Sequence, residues 1–154
     1  MELLEIKNKE DTYARWVQYV NEFEGGASVY DGIEEVLNSF HHQIKQAVVS
    51  AKTRAQYQID MINKGLDQYM EVVVLADDTQ KHKPDLESIL LCLEKLKISK
   101  EDVIYIGDAW SDYQCCLNAG IDFGYAKWGS VSSEGITHPT FIFESPRDML
   151  KLIK

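Results

Sequence analysis

The sequence has few basic side chains for its length. Its 154 residues include 16 Lys and Arg against 25 Asp and Glu, which gives a formal net charge of −9 at pH 7 and a pI near 4.9. The basic residues form no stripe of the kind that binds a nucleic-acid backbone or an anionic membrane. We therefore expect neither of these as a partner, and we expect any ligand to be a small molecule.

Cysteine is also scarce, and long apolar runs are absent. Cys92, Cys115 and Cys116 form no C-x-x-C pair, and adjacent cysteines rarely bridge each other, which argues against a disulfide framework and against zinc. No apolar stretch approaches the ~20 residues that a membrane-spanning helix needs. Residues 1–5 lack the basic and apolar regions of a signal peptide. Together these features predict a cytoplasmic protein.

The size and composition predict one domain in which helices and strands alternate. With 45% hydrophobic residues, the chain is long enough to bury one core. Short apolar runs alternate with segments of helical spacing, which is typical of an α/β, Rossmann-like parallel sheet with helices on both faces. The predicted strands are 47–49, 72–75, 103–106, 121–126 and 140–143, and the predicted helices are 12–23, 31–40, 53–63, 84–96, 112–118 and 146–153. The expected core-facing stripe of the fourth of these helices consists of Leu86, Ile89, Leu90, Leu93 and Leu96.

Polar side chains follow three of the predicted strands. Ser50 comes directly after the first strand, and Lys83 precedes Pro84 in the segment after the second. The third strand runs into a G-D-x-x-x-D motif whose carboxylates are Asp108 and Asp112. Because the carboxyl ends of parallel strands open on one crevice, we expect these side chains to converge. A hydroxyl, an ammonium and carboxylates are suited to binding a phosphoryl group and a hard cation.

In this order and spacing, Ser50, Lys83 and the Asp108/Asp112 motif resemble the second, third and fourth motifs of the haloacid dehalogenase (HAD) superfamily, in its phosphoglycolate-phosphatase-like branch. The resemblance implies a phosphate monoester hydrolase that depends on Mg²⁺. It implies that Ser50 and Lys83 bind phosphoryl oxygens, that Asp108 is the metal ligand, and that Asp112 orients Lys83 or a metal-bound water. The family's first motif, a D-x-D-G-T whose first aspartate is the nucleophile, has no counterpart in this sequence.

Each of these side chains has a simpler alternative role. Ser50 alone is more often a turn or cap hydroxyl than a ligand. Lys81 carries the same charge as Lys83 and lies beside it. Asp108 can bond to loop amides, and Asp112 can complement the positive end of the following helix. Asp77 and Asp78 follow another strand and are expected to be solvated loop residues or to contact a metal indirectly, and Trp110 and Trp128 are expected either to touch a substrate or to cover the crevice.

The resemblance also predicts how the chain is divided. Residues 1–29 resemble the remnant of a helical cap and its linker, and residues 30–154 resemble a HAD-like core without its first, central strand. A segment at residues 2–6, a swapped segment of a second copy, or a separate N-terminal fragment is expected to occupy the position of that strand.

Three functions therefore remain open. The first is a truncated phosphatase that is inactive alone because it lacks the aspartate pair. The second is a noncatalytic module that binds phosphate and metal or associates with itself. The third is one half of a split phosphatase, completed by a fragment that bears D-x-D. Phosphoglycolate, sugar phosphates and nucleotides are all candidate substrates, since the cap that selects substrates in this family is mostly absent.

Overall fold

A computed structural model describes residues 27–153 of the chain. The predicted helix at 12–23, the strand candidate at 2–6 and most of the predicted cap remnant lie outside these described residues.

The strands form two parallel sheets. β1 (Ala47–Val49) pairs with β2 (Val72–Val74), and β3 (Ile104–Gly107), β4 (Asp122–Ala126) and β5 (Phe141–Phe143) form a second sheet in that order. All five predicted strands are present, and their parallel pairing confirms the α/β fold class. Parallel neighbours need a crossover connection, and a helical segment follows each of the first three strands.

The helices occupy the segments in between. They are α1 (Ile33–Phe40), α2 (Arg54–Tyr57), which continues as a π-helix over Gln58–Ile62, α3 (Glu87–Leu96), α4 (Trp110–Ala119) and a closing 3₁₀-helix (Pro146–Leu152). Short 3₁₀ turns lie at Asp67–Tyr69, Ala76–Asp78, Lys100–Asp102 and Lys127–Gly129. Gly120 ends α4 in the left-handed conformation. None of the helices in residues 27–153 is long and apolar enough to cross a membrane.

Two details of the predicted helices are wrong. α3 begins at Glu87, so Pro84 lies in the preceding turn rather than in the first helical turn. Leu90 is 51% exposed, and Cys92, which is buried, takes its place in the core-facing stripe. One residue turns a helix by about 100°, so Leu90 points away from the face that Ile89 buries, whereas Cys92 lies close to that face.

Helices cover both faces of the second sheet. Along β3, Tyr105 packs into a cluster with residues of α4 and β4, whereas Ile106 packs against α1 and the closing 3₁₀-helix. Successive strand residues point to opposite faces, and this alternation divides the core into two layers. A third cluster joins α3 to β1 and β2 through Val74, Cys92 and Leu96.

The two sheets meet through a side chain. Within residues 27–153 no backbone ladder joins β1 to β3. The Tyr105 hydroxyl of β3 instead lies within hydrogen-bond distance of the Val49 carbonyl oxygen at the end of β1, at 3.1 Å. The resemblance stated above predicts that a further strand lies at this junction.

Candidate phosphate-binding site

The G-D-x-x-x-D motif turns the end of β3 into the start of α4. Asp108 follows the strand directly, and Asp112 lies in the first turn of the helix. Asp112 Oδ2 accepts a hydrogen bond from the Ala109 N–H at 3.3 Å, which is one of the alternative roles that the sequence left open. A Cβ at Gly107 would lie 2.7 Å from Asp112 Cβ, so only glycine allows the strand end to pass this close to the Asp112 side chain.

Lys83 and Asp112 form a buried ion pair. Lys83 Nζ lies 2.5 Å from Asp112 Oδ1, and the two side chains are 14% and 8% exposed. Lys81, the alternative of equal charge, is 72% exposed, and its ammonium lies 4.0 Å from Asp85. The structure therefore places the ammonium of Lys83, and not that of Lys81, beside the G-D-x-x-x-D motif.

Tyr105 is the member of this site that sequence reasoning missed. Its hydroxyl oxygen lies 3.0 Å from Lys83 Nζ, 3.2 Å from Asp112 Oδ1 and 3.1 Å from the Val49 carbonyl oxygen. Burial, followed by the Asp112 charge, raises the pKa of Tyr105 well above its ordinary value of 10. The phenol therefore stays neutral and accepts from Lys83 while its single proton serves one of two acceptors. One feature of the sequence could have indicated Tyr105: it carries a hydroxyl in an otherwise apolar strand, two residues before the glycine of the motif.

Ser50 lies next to this cluster along the chain. Its N–H donates to the Val74 carbonyl at 3.0 Å, which continues the β1–β2 pairing, and its Oγ accepts the Lys52 N–H at 3.2 Å. The hydroxyl thus serves a turn, as its simpler alternative role predicts, and within residues 27–153 its own proton has no acceptor. The preceding carbonyl, that of Val49, is the one that Tyr105 contacts, so the segments bearing Ser50, Lys83 and Asp112 meet at the Tyr105 hydroxyl.

Asp108 faces a pocket. Partial burial, and then the charge of Asp112, raise the pKa of Asp108 above its ordinary value, although part of the carboxylate contacts solvent. The pocket has a volume of about 600 Å³. Its described lining residues are Asp108, Ala109, Trp110, Gly129, Val131, Ser132, Glu134 and Gly135. Trp128, the other tryptophan considered from the sequence, packs instead beside Phe143 in the core.

The described residues supply one carboxylate suited to a magnesium ion. No group of three or more His, Cys, Asp or Glu side chains within residues 27–153 is arranged to hold a metal. Asp112 is paired with Lys83, whereas Asp108 forms no ion pair within residues 27–153 and lines the pocket. Mg²⁺ characteristically takes one or two protein carboxylates and completes its shell with water and phosphate oxygens, so Asp108 fits as one ligand of an incomplete set.

Asp77 and Asp78 stabilise the loop after β2 through hydrogen bonds. Asp77 Oδ2 accepts the Arg54 N–H at 2.6 Å, and Asp78 contacts the Arg54 guanidinium at 2.9 Å and the Leu75 N–H at 2.8 Å. These contacts give both carboxylates a structural role in the loop.

The chain belongs to the haloacid dehalogenase-like hydrolase family, whose sequence model matches residues 1–126. It is 32% identical over 129 residues to a candidate pyrophosphatase PpaX of Caldanaerobacter subterraneus, and 29% identical over 128 residues to the pyrophosphatase PpaX of Listeria monocytogenes. These matches cover 82% and 81% of this chain and 59% of each relative. The chain thus spans about three fifths of the length of these curated relatives.

Solved structures agree with this assignment. A candidate phosphoglycolate phosphatase from Lactobacillus plantarum superimposes with a TM-score of 0.86 at 27% identity, covering 94% of this chain and 70% of that one. The sequence-based assignment to a phosphatase-like HAD protein with an α/β core is therefore confirmed.

Proposed function

We propose that this chain carries the phosphate-binding part of a magnesium-dependent phosphohydrolase site. In this proposal Ser50 and Lys83 bind the phosphoryl oxygens, Asp108 ligates Mg²⁺, and Asp112 positions Lys83. The observation that carries the proposal is the ammonium of Lys83, held 2.5 Å from Asp112 in the first turn of the helix that follows β3 and Asp108.

The chemistry of phosphoryl transfer suits such a site. The reaction demands charge placed around a group whose equatorial oxygens become more negative, more than it demands covalent chemistry from the protein. The buried contacts of Lys83 with Asp112 and Tyr105 fix the direction of its ammonium before any ligand arrives. A bound Mg²⁺ would supply a second positive charge on the Asp108 side.

Turnover requires a further residue. The route through an aspartyl-phosphate needs a carboxylate nucleophile and a partner acid and base, and the 154 residues contain no D-x-D sequence. We therefore propose that this chain alone binds a phosphorylated ligand without hydrolysing it. The ligand is a small phosphorylated molecule or phosphate, for which the names of the relatives suggest pyrophosphate and phosphoglycolate.

We also place this function in the cytoplasm. The three cysteines are free and buried, which is compatible with a reducing compartment.

Calorimetric titration with inorganic phosphate in the presence of Mg²⁺ tests the binding proposal. We expect Lys83→Met to weaken phosphate binding at least tenfold, and Asp108→Asn to remove its dependence on Mg²⁺. Lys81→Met and Asp122→Asn are the matched controls, because both change exposed charges outside the site. Equal phosphate affinity in all four variants would refute the proposal.

Hydrolysis of p-nitrophenyl phosphate with Mg²⁺ tests the absence of turnover. We expect no activity above background. Robust hydrolysis that Asp108→Ala abolishes would show that an unrecognised nucleophile is present.

A split phosphatase is the second candidate, and the junction between the sheets favours it. Within residues 27–153, β1 and β3 share no backbone ladder, and Tyr105 bridges their ends. A separate fragment bearing D-x-D, or a second copy of this chain, would add a strand there. Mixing the chain with such a peptide and Mg²⁺ should then produce phosphatase activity, and light scattering should distinguish a dimer from a monomer. A monomer that gains no activity with any D-x-D peptide would remove this candidate.

A further inference from the structure

The pocket beside Asp108 is far larger than one phosphate group. Its volume of about 600 Å³ lies within the ~300–1,000 Å³ typical of sites for whole small molecules. Among its described lining residues are an indole, a valine and two carboxylates.

We propose that this pocket receives the alcohol part of a phosphate monoester, and that this part is flat, apolar on one side and free of negative charge. Aryl and nucleoside phosphates belong to this class, whereas pyrophosphate and phosphoglycolate do not. The inference rests on the proposed function, because it takes the phosphoryl group to lie beside Asp108.

The indole of Trp110 provides the surface for a flat group. Trp110 is the second residue after Asp108 and the first of α4, and it is 47% exposed although it lines the pocket. Aromatic side chains stack on planar groups of any identity, which suits a ring attached to a phosphate held near Asp108.

The segment from Gly129 to Gly135 forms a wall that holds this indole. A Cβ at Gly135 would lie 2.4 Å from Trp110 Cδ1, and Gly135 has a φ of +81°. At the other end, a Cβ at Gly129 would lie 3.0 Å from Asp108 Oδ2. The backbone of this segment therefore passes close to Trp110 at Gly135 and close to Asp108 at Gly129, so it borders both ends of one pocket.

The charge of the pocket disfavours a second anion. Asp108 and Glu134 both line it, and like charges around one pocket repel. If a cation neutralised Asp108, the carboxylate of Glu134 would still repel a second anion. A carboxylate or second phosphate on the ligand would meet that repulsion, whereas hydroxyl or amino groups could donate to Glu134 or Ser132.

Binding measurements with four probes test the proposal. The probes are phenyl phosphate, inorganic phosphate, pyrophosphate and phosphoglycolate, each titrated calorimetrically with Mg²⁺ into the full chain. We expect phenyl phosphate to bind about tenfold more tightly than the other three. Trp110→Ala should abolish this preference, and Glu134→Gln should improve binding of phosphoglycolate several-fold relative to phenyl phosphate. Leu117→Ala is the matched control, because Leu117 is a similarly exposed apolar residue of the same helix, at 55%.

A phosphate-free probe separates this inference from the proposed function. Phenol should shift the Trp110 indole N–H resonance, which the Trp110→Phe spectrum identifies. A shift with phenol but no binding of any phosphate would uphold the pocket and refute the phosphate site. Phosphate binding with equal affinity for all four probes, or a preference that survives Trp110→Ala, would refute the pocket and leave the phosphate site standing. No response to phenol and no preference for phenyl phosphate would overturn the inference.

Discussion

Removal of the Lys83 ammonium should destabilise the protein more than removal of the ammonium of an exposed lysine. In Lys83→Met the carboxylate of Asp112 stays buried without its cation, and the Tyr105 hydroxyl loses the donor at 3.0 Å. Removing one partner of a buried ion pair typically costs ~3–5 kcal/mol. Asp112 keeps the hydrogen bond from the Ala109 N–H and can still accept one from Tyr105. We therefore expect the free energy of unfolding to fall by the lower end of this range, about 3 kcal/mol.

The structure provides a matched control and a double-mutant cycle. Lys81 is 72% exposed and lies 4.0 Å from Asp85, so Lys81→Met should cost ~0–1 kcal/mol. Adding Asp112→Asn to Lys83→Met removes the unpaired charge and should recover part of the lost free energy of unfolding. We therefore expect a coupling energy of about 1–3 kcal/mol between these two residues, which are in contact.

Urea unfolding followed by far-UV circular dichroism measures these effects. With an m value of about 2 kcal/mol/M, a loss of about 3 kcal/mol lowers the unfolding midpoint by about 1.5 M. Because the pair is buried, 1 M NaCl should change the difference little. A Lys83→Met variant as stable as Lys81→Met, or a cycle with no coupling, would refute the buried-pair reasoning.

Three further predictions address other parts of the chain. Gly107→Ala should force Asp112 aside and lower the free energy of unfolding by about 1–3 kcal/mol, and an unchanged urea midpoint would contradict the close approach seen at Gly107. Arg147 lowers the pKa of Asp31 below its ordinary value of 3.8, so the stability from this pair is present above about pH 4 and is lost as pH falls through the lowered pKa. Arg147→Met should raise the pKa of Asp31 in an NMR titration, and it should make unfolding less sensitive to acid below pH 4; a pKa that does not move would count against the contact. The cysteines are buried, and burial raises the pKa of Cys116 to about 12, so a disulfide reagent should label no thiol rapidly in the native protein and all three in denaturant. Rapid labelling of a thiol in the native protein would contradict the burial of that cysteine.

The strands were predictable from the sequence because their signal is local. Runs such as 72–75 and 103–106 are apolar almost throughout, which is typical of strands in a parallel sheet. The positions of Ser50, Lys83 and Asp108 after these strands followed from the same runs. The same reasoning fails in α3. Its apolar residues cover more than one face of the helix, and the pattern alone did not identify Leu90 as the exposed residue.

By itself, the sequence determined the fold class, the positions of the strands along the chain and the family to which the site residues belong. The tertiary structure then placed Lys83, and not Lys81, against Asp112, and it alone brought in Tyr105 and built a pocket from Trp110 and the segment after β4. The physical reason is the distance along the chain between the residues that interact. Hydrophobic periodicity reports on neighbours one or two turns away, whereas the Lys83–Asp112 contact joins residues 29 apart and the Tyr105–Val49 contact residues 56 apart, and packing of the sheets and helices sets both.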